Sequence, residues 1–198
     1  MTTSRFRPVE LRHASRLINH GPTVLVTSRH AGQRNIMAAA WSMPVEFTPP
    51  RIAIVIDKRT HTRTLAAASG VFGVCLPGRD LVDLAYAVGH STGSEVDKFA
   101  RFGIAAFAGP VTGVPLIEDG CSAWFECRLI PERHTEDRYD TCFAEIVSAA
   151  ADPRIFDAGH WNVREDNADL HTIHHLGGGN FVQGATALTA LAASLASG

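Results

Sequence analysis

Residues Asn35–Asp57 read NIMAAAWSMPVEFTPPRIAIVID. The stretch opens on small side chains around one tryptophan, passes Pro49-Pro50, and ends in a run of Ile, Val and Ala. Arg51 to Ile56, RIAIVI, is β-branched and apolar, and the proline pair before it forces an extended approach, so it reads as the clearest strand in the chain. Asn35 to Met43 reads as a second strand, although its alanines are poor strand formers. Three small residues in a row, Ala38, Ala39 and Ala40, have two readings. They face a tight core, or they form a floor on which a flat aromatic ligand lies against the backbone, whose N–H and C=O groups then read its edge.

Outward from this stretch, Val9 to Ile18 reads as a short helix stopped by Gly21-Pro22, and Thr23 to Ser28 as a strand. Thr60 to Ser69 has a capping threonine, a helical composition and Gly70 as its stop. Val71 to Leu76 is a strand. Asp80 to Val88 and Glu95 to Phe102 read as helices around the polar loop Gly89–Gly93. Ser122 to Leu129 and Thr141 to Ala149 are strands joined by a polar hairpin, in which Glu136-Asp137, like Glu118-Asp119 earlier, look like turn residues. The tail from Leu170 to Gln183 holds a glycine triplet and a short strand-like FVQ. About six strands at hairpin spacing, with short helices at the connections, point to an antiparallel barrel rather than a parallel sheet. Neither GxGxxG nor GxxxxGK[ST] occurs, which argues against a Rossmann fold and a P-loop.

The chain has 198 residues, 45% hydrophobic and 19% charged, which suits a single domain over 1–198 with a real core. A net charge of −2 gives no bulk attraction for nucleic acid. No apolar run approaches the roughly 20 residues of a membrane helix, and the N-terminus lacks the apolar centre of a signal peptide. Cys75, Cys121, Cys127 and Cys142 fit neither a CxxC pair nor a zinc knuckle, so buried thiols in a reducing cytoplasm are expected.

Two segments carry candidate chemistry. Asp57 to Thr64, DKRTHTRT, follows the best strand and enters a helix. It brings Lys58, Arg59 and Arg63 together with three threonines and His61. A helix N-terminus with threonine hydroxyls and arginine forks suits a phosphate. The plainer reading is a solvated basic loop capped by Thr60 or Thr62. The second segment is HTIHH, where His171 and His175 would share a helical face and hold a metal. Glycines follow at once and no Glu lies between, so a structural or ligand-contacting role reads better than zinc.

The order of motifs is more specific than any one of them. The pattern N-x-x-x-A-A-W-x-x-P-V-x-F-x-P-P from Asn35, then a strand, then His61-Thr62, resembles the flavin reductase-like, FMN-binding split-barrel family. So do FGVCLP (Phe72–Pro77), SEVDKF (Ser94–Phe99), PLI (Pro115–Ile117) followed by Cys121 and FEC (Phe125–Cys127), FAEIV (Phe143–Val147) and TIHHLGGGNFV (Thr172–Val182). The resemblance covers roughly residues 10 to 185 and includes the flavoredoxin-like branch.

It implies a mainly β, six-stranded antiparallel Greek-key split barrel with short helices, and a homodimer holding FMN, with FAD left open. Asn35, Met37, Ala38, Ala39, Ala40 and Trp41 would line the ring and ribityl chain. Arg59, Thr60, His61 and Thr62 would hold the phosphate, while Lys98 and His175 approach the flavin. Family members usually carry Ser or Thr at some of the positions of Ala38–Ala40. Many NADH-using members have a histidine where this chain has Tyr139. The implied activity is an NAD(P)H-dependent flavin reductase, with an oxygenase as a partner within the family's range. The alternatives are an FMN electron carrier without nicotinamide activity and, from the histidines alone, a metal-bound hydrolase. The residues name no general acid and no metal ligand set.

Overall fold

Val24–His30 (β1) turns back at Ala31-Gly32 into Gln33–Ala39 (β2). Both turn residues have positive φ, 47° and 80°, the backbone of a tight hairpin that matches strand twist. In the computed structural model, which describes residues 21–184 and Ala187, the chain continues through Ser42–Phe47 (β3), Pro50–Val55 (β4), the helix His61–Ser69 (α1) and Val71–Pro77 (β5). Two helices follow, Val82–Gly89 (α2) and Lys98–Arg101 (α3), then the short pair Phe107–Ala108 (β6) and Pro115–Leu116 (β7). Cys121–Ile130 (β8), the helix Arg133–Tyr139 (α4) and Thr141–Ala151 (β9) come next. The ribbon Phe156–Asp157 (β10) and His160–Trp161 (β11) precedes the hairpin Ile173–Gly177 (β12) and Asn180–Gln183 (β13). The helix expected over Val9–Ile18 lies outside the described residues.

One antiparallel sheet of seven strands runs in the order β2-β1-β5-β8-β9-β4-β3. The strand count exceeds the six expected because the segment after Trp41 splits off as β3, hairpinned to β4. Pro44 hides β3 in the sequence. A proline is tolerated there because β3 is an edge strand with one face of its backbone unpaired. The stretch Asn35–Met43 is therefore two strands with a corner at Ala40-Trp41, not one. Since β2 and β3 are the two edges of the sheet, this corner carries the chain across the split where the sheet curls toward itself. A backbone bond from Val55 N–H to Trp41 O at 3.0 Å ties the corner down.

Side chains alternate across each strand, and both sides of β1 and β5 are used. Val24, Val26, Ile52, Ile54, Phe72, Val74, Cys127, Cys142 and Ala144 fill the barrel, with Ala66 of α1 plugging one end. Leu25, Ile36 and Cys75, one residue out of phase, form a second core beneath α2, α3, β7 and β12 through Val88, Phe99, Leu116 and Ile173. All four cysteines are buried and unbridged. No helix among the described residues is long and apolar enough to cross a membrane.

Three expectations are corrected by tertiary contacts. The hairpin expected between β8 and β9 is the helix α4, and Glu136 is helical rather than a turn residue. Its carboxylate reaches Arg63 of α1 at 2.5 Å and accepts from Glu132 N–H at 2.9 Å. The helix expected over Glu95–Phe102 shrinks to α3, because the Asp97 carboxylate accepts from Phe99 and Ala100 N–H and so fixes the start. His171 and His175 do not share a helical face. His171 is buried, its Nε2 2.9 Å from Arg164 O and 3.0 Å from Asn167 Oδ1, while His175 lies in β12.

The Arg63–Glu136 pair is largely buried, at 11% and 18% side-chain exposure. Burial pushes the Glu136 carboxyl up, but the Glu132 N–H and the Arg63 guanidinium outweigh it and hold the pKa below its usual value. A depressed carboxylate stabilises the fold above the unfolded pKa and loses that contribution as pH falls through the folded one. Glu136→Ala, which strands Arg63, is expected to cost about 3 kcal/mol at pH 7 by urea unfolding. The gap to wild type should close as the pH is lowered through the carboxylate range.

Candidate functional site

α1 begins where it does because Thr60 closes the turn from Asp57. The Thr60 hydroxyl donates to Asp57 O at 2.8 Å and accepts from Arg63 N–H at 3.2 Å, capping the helix. The first N–H groups of such a helix have no partner within it. They open onto a cleft of about 310 Å³. One wall is β2, with Asn35, Met37 and Ala38; another is Arg59–Thr62; the third is Val88–Gly93 with Lys98. A second cleft of about 180 Å³ adjoins it. Its floor is Ala38, Ala39 and Ala40, and Tyr86, His90, His175 and Phe181 stand around it. Ala38 and Gly89 border both, so the two clefts form one trough along β2.

The trough brings together every residue that the family resemblance assigns to the flavin except Trp41. That indole is 54% exposed and borders neither cleft. Asn35 is buried; its Nδ2 donates to Thr62 Oγ1 at 2.9 Å, while Oδ1 has no hydrogen-bond partner among the described residues. Thr62 Oγ1 thus accepts a hydrogen bond from Asn35 and keeps its own O–H to donate to another acceptor. The loop after α2 presses on the Asn35 carboxamide at Gly93, where a Cβ would lie 2.0 Å from Oδ1. Glycine is required here by close approach.

The cations of DKRTHTRT are not all available. Lys58 donates to Asp137 O at 2.7 Å and sits 3.6 Å from Asp140, and Arg63 is held by Glu136. Only Arg59 borders the trough, and its guanidinium lies 2.6 Å from the Asp57 carboxylate while 86% exposed. The hydrogen bonds from Arg59 hold the Asp57 pKa down to about 2. Lys98 also borders the trough, and it is buried. Its Nζ donates to Ile36 O at 2.9 Å and Val88 O at 2.7 Å and has no carboxylate partner among the described residues. Burial pushes its pKa down to about 8. An ammonium desolvated without a counter-ion favours an anion brought alongside it.

Sequence reading missed the α2 side of the trough: Tyr86, Gly89, His90 and the hydroxyls of Ser91 and Thr92. The polar loop was visible as GHSTG, but nothing in it showed which face of the barrel it would cover. Phe181 was also missed, because only the β12–β13 hairpin folds it back over the alanine floor.

The split barrel and the trough together define a protein of the flavin-binding split-barrel class. The chain belongs to the family of the flavin reductase like domain, whose model matches residues 16–165. It is 54% identical over 189 residues to YddH of Escherichia coli K12, covering 94% of this chain and 99% of that one. A crystal structure of an FMN-binding domain of a flavin reductases-like enzyme from Shewanella baltica OS155 shares 38% identity. It covers 92% of this chain and 95% of that chain with a TM-score of 0.81. The flavoredoxin of Desulfovibrio vulgaris shares the fold at 23% identity and a TM-score of 0.75, covering 98% and 100% of the two chains.

The residues of the trough fit FMN. An orphaned buried acceptor, a helix start, a buried ammonium and a floor of small residues match the hydroxyls, phosphate and flat ring of that cofactor. Thr62→Val removes the acceptor of the Asn35 amide and leaves both ends of that carboxamide unpaired. It is expected to cost about 1–3 kcal/mol of stability in urea unfolding without added flavin.

Proposed function

We propose that the chain binds FMN noncovalently along this trough and works as an NAD(P)H-dependent flavin oxidoreductase. The observation that carries the reading is the continuity of the trough. It runs from the start of α1 to the alanine floor, so a phosphate and a planar ring are seated at once. In this reading the α1 N-terminus, the Thr62 hydroxyl and Arg59 hold the phosphate. Asn35 Oδ1 accepts from a ribityl hydroxyl, and Ala38–Ala40 leave room for the ring. FMN supplies the two-electron chemistry. The chain supplies position and charge: Lys98, as an ammonium, favours the more negative reduced state of its ligand, and the hairpin β12–β13 limits water above the floor.

A second reading is an electron carrier that docks on a partner enzyme, an oxygenase among the candidates. Tyr139 supports it, standing where many NADH-using members have histidine and lying exposed at the end of α4. Anaerobic rapid mixing of the FMN-loaded chain with NADH and with NADPH separates the two. Bleaching of the flavin band within seconds is expected; a band that persists for minutes with either nucleotide overturns the reductase in favour of the carrier.

The working unit in this proposal is a homodimer. Met43, Ala53, Phe143 and Ile130 lie opposite one another across β3, β4, β9 and β8, on the outer side of the sheet from Ile52 and Ile54. Met43 is 60% exposed there, and nearby Phe47 is 96% exposed. Such an apolar stripe suits a second copy of the chain. The unbridged, buried thiols suit a reducing cytoplasm. Met43→Glu should convert the dimer to a monomer by light scattering, with its far-UV spectrum unchanged.

A further inference from the structure

Among the described residues, three histidines border the trough: His61, His90 and His175. They differ in what fixes their rings. His61 is at the phosphate end, on the first turn of α1. The His175 ring packs on Phe181, centroids 5.0 Å apart, and neither of its ring nitrogens has a hydrogen-bond partner among the described residues. His90 alone is held at both ring and nitrogen. Its Nδ1 lies 2.8 Å from Tyr86 O, one turn back on α2, and its ring sits 4.0 Å from that of Tyr86. Because a carbonyl only accepts, Nδ1 carries its proton whether the ring is neutral or charged. Every proton that His90 gains or loses therefore passes through Nε2.

The position of His90 adds a second argument. It borders the ring end of the trough and also a wider outer cleft of about 510 Å³ beside Glu95 and Arg101. The ring is exposed, so a proton passed inward is replaced from solvent. It also caps the C-terminus of α2, its backbone N–H bonded to Tyr86 O and Ala87 O, which fixes where the ring stands. The titratable or charged groups around it are Tyr86 on α2, Glu95 and Arg101 across the outer cleft, and His175 across the inner one.

We propose that His90 is the proton-exchange residue of the flavin site, acting through Nε2. This rests on the flavin reading above. The balance is simple. A hydride donor brings the ring two electrons together with a proton. An acceptor of bare electrons removes two electrons and leaves that proton behind, and neutral His90 takes it at Nε2 and releases it to solvent. When a donor of bare electrons reduces the ring, the His90 imidazolium gives one proton as two electrons arrive.

The test uses the full chain loaded with FMN, reduced by dithionite and reoxidised by ferricyanide, which takes one electron at a time. His90→Asn keeps an N–H donor for Tyr86 O and loses the titrating nitrogen; His90→Gln is the second variant should Asn fail to fold. Wild type is expected to show a reoxidation rate that follows one ionisation between about pH 5 and 8. The variant should be flat with pH and slower by about 10²-fold, the scale of general acid–base assistance. The His90 imidazole signal in NMR should also titrate at a different pH once FMN is bound. A variant with bound flavin and the wild-type rate and profile overturns the proposal, as does a His90 titration that FMN leaves unmoved. A chain whose visible spectrum shows no bound flavin fails earlier, on the binding reading rather than on His90.

Discussion

A chain that leaves a sheet at one edge and rejoins it at the other has no neighbouring strand at the crossing, and its backbone polar groups must still be satisfied. That is the situation of Ala40-Trp41. The chain crosses the split there, and the Val55 N–H donates to Trp41 O. Everything in the trough depends on this passage. β2 ends at Ala39, so its alanines line an opening instead of pairing with another strand on that side. Larger side chains at the crossing would fill the opening that α2 and the β12–β13 hairpin surround.

The electrostatics follow from the same arrangement. α4 packs against β9 and the start of α1, and its Glu136 holds Arg63, while Asp140, its C-cap, lies beside Lys58. Those cations serve the fold. Lys98 instead is buried between β2 and α2, its ammonium donating to the Ile36 and Val88 carbonyls. Its pKa near 8 is the mark of that desolvation. A folded pKa below the unfolded one means that the ligand-free fold gains stability as pH rises above about 8 and the ammonium is lost, whereas an anionic ligand prefers the charged form. Site and fold pull this residue in opposite directions, which is common where charge is placed for use.

Much of this was legible from local sequence. RIAIVI, TVLVTS and VFGVCL announce strands through β-branching, and Thr60 with Gly70 bounds α1 to within a residue. The two halves of the site could each be guessed: small residues before the corner, hydroxyls and cations before the helix. Their approach could not. Asn35 and Thr62 are 27 residues apart, and only the packing of α1 against β1 and β2 makes them hydrogen-bond partners. The helix α4 was misread as a hairpin because its composition is wholly polar. Its stability comes from Arg63, 73 residues away, and no window of sequence around Glu136 contains that partner.

The sequence alone thus determined what depends on short-range backbone chemistry: which segments extend, where α1 starts and stops, and that three small residues stand in a row before the corner. Tertiary structure decided what depends on distant partners: the seventh strand, the engagement of Lys58 and Arg63, the burial of Lys98, and the joining of two clefts at Ala38 and Gly89. The physical reason is that propensity acts over a few bonds, whereas burial and ion pairing act through space and are fixed only when the sheet closes around its core.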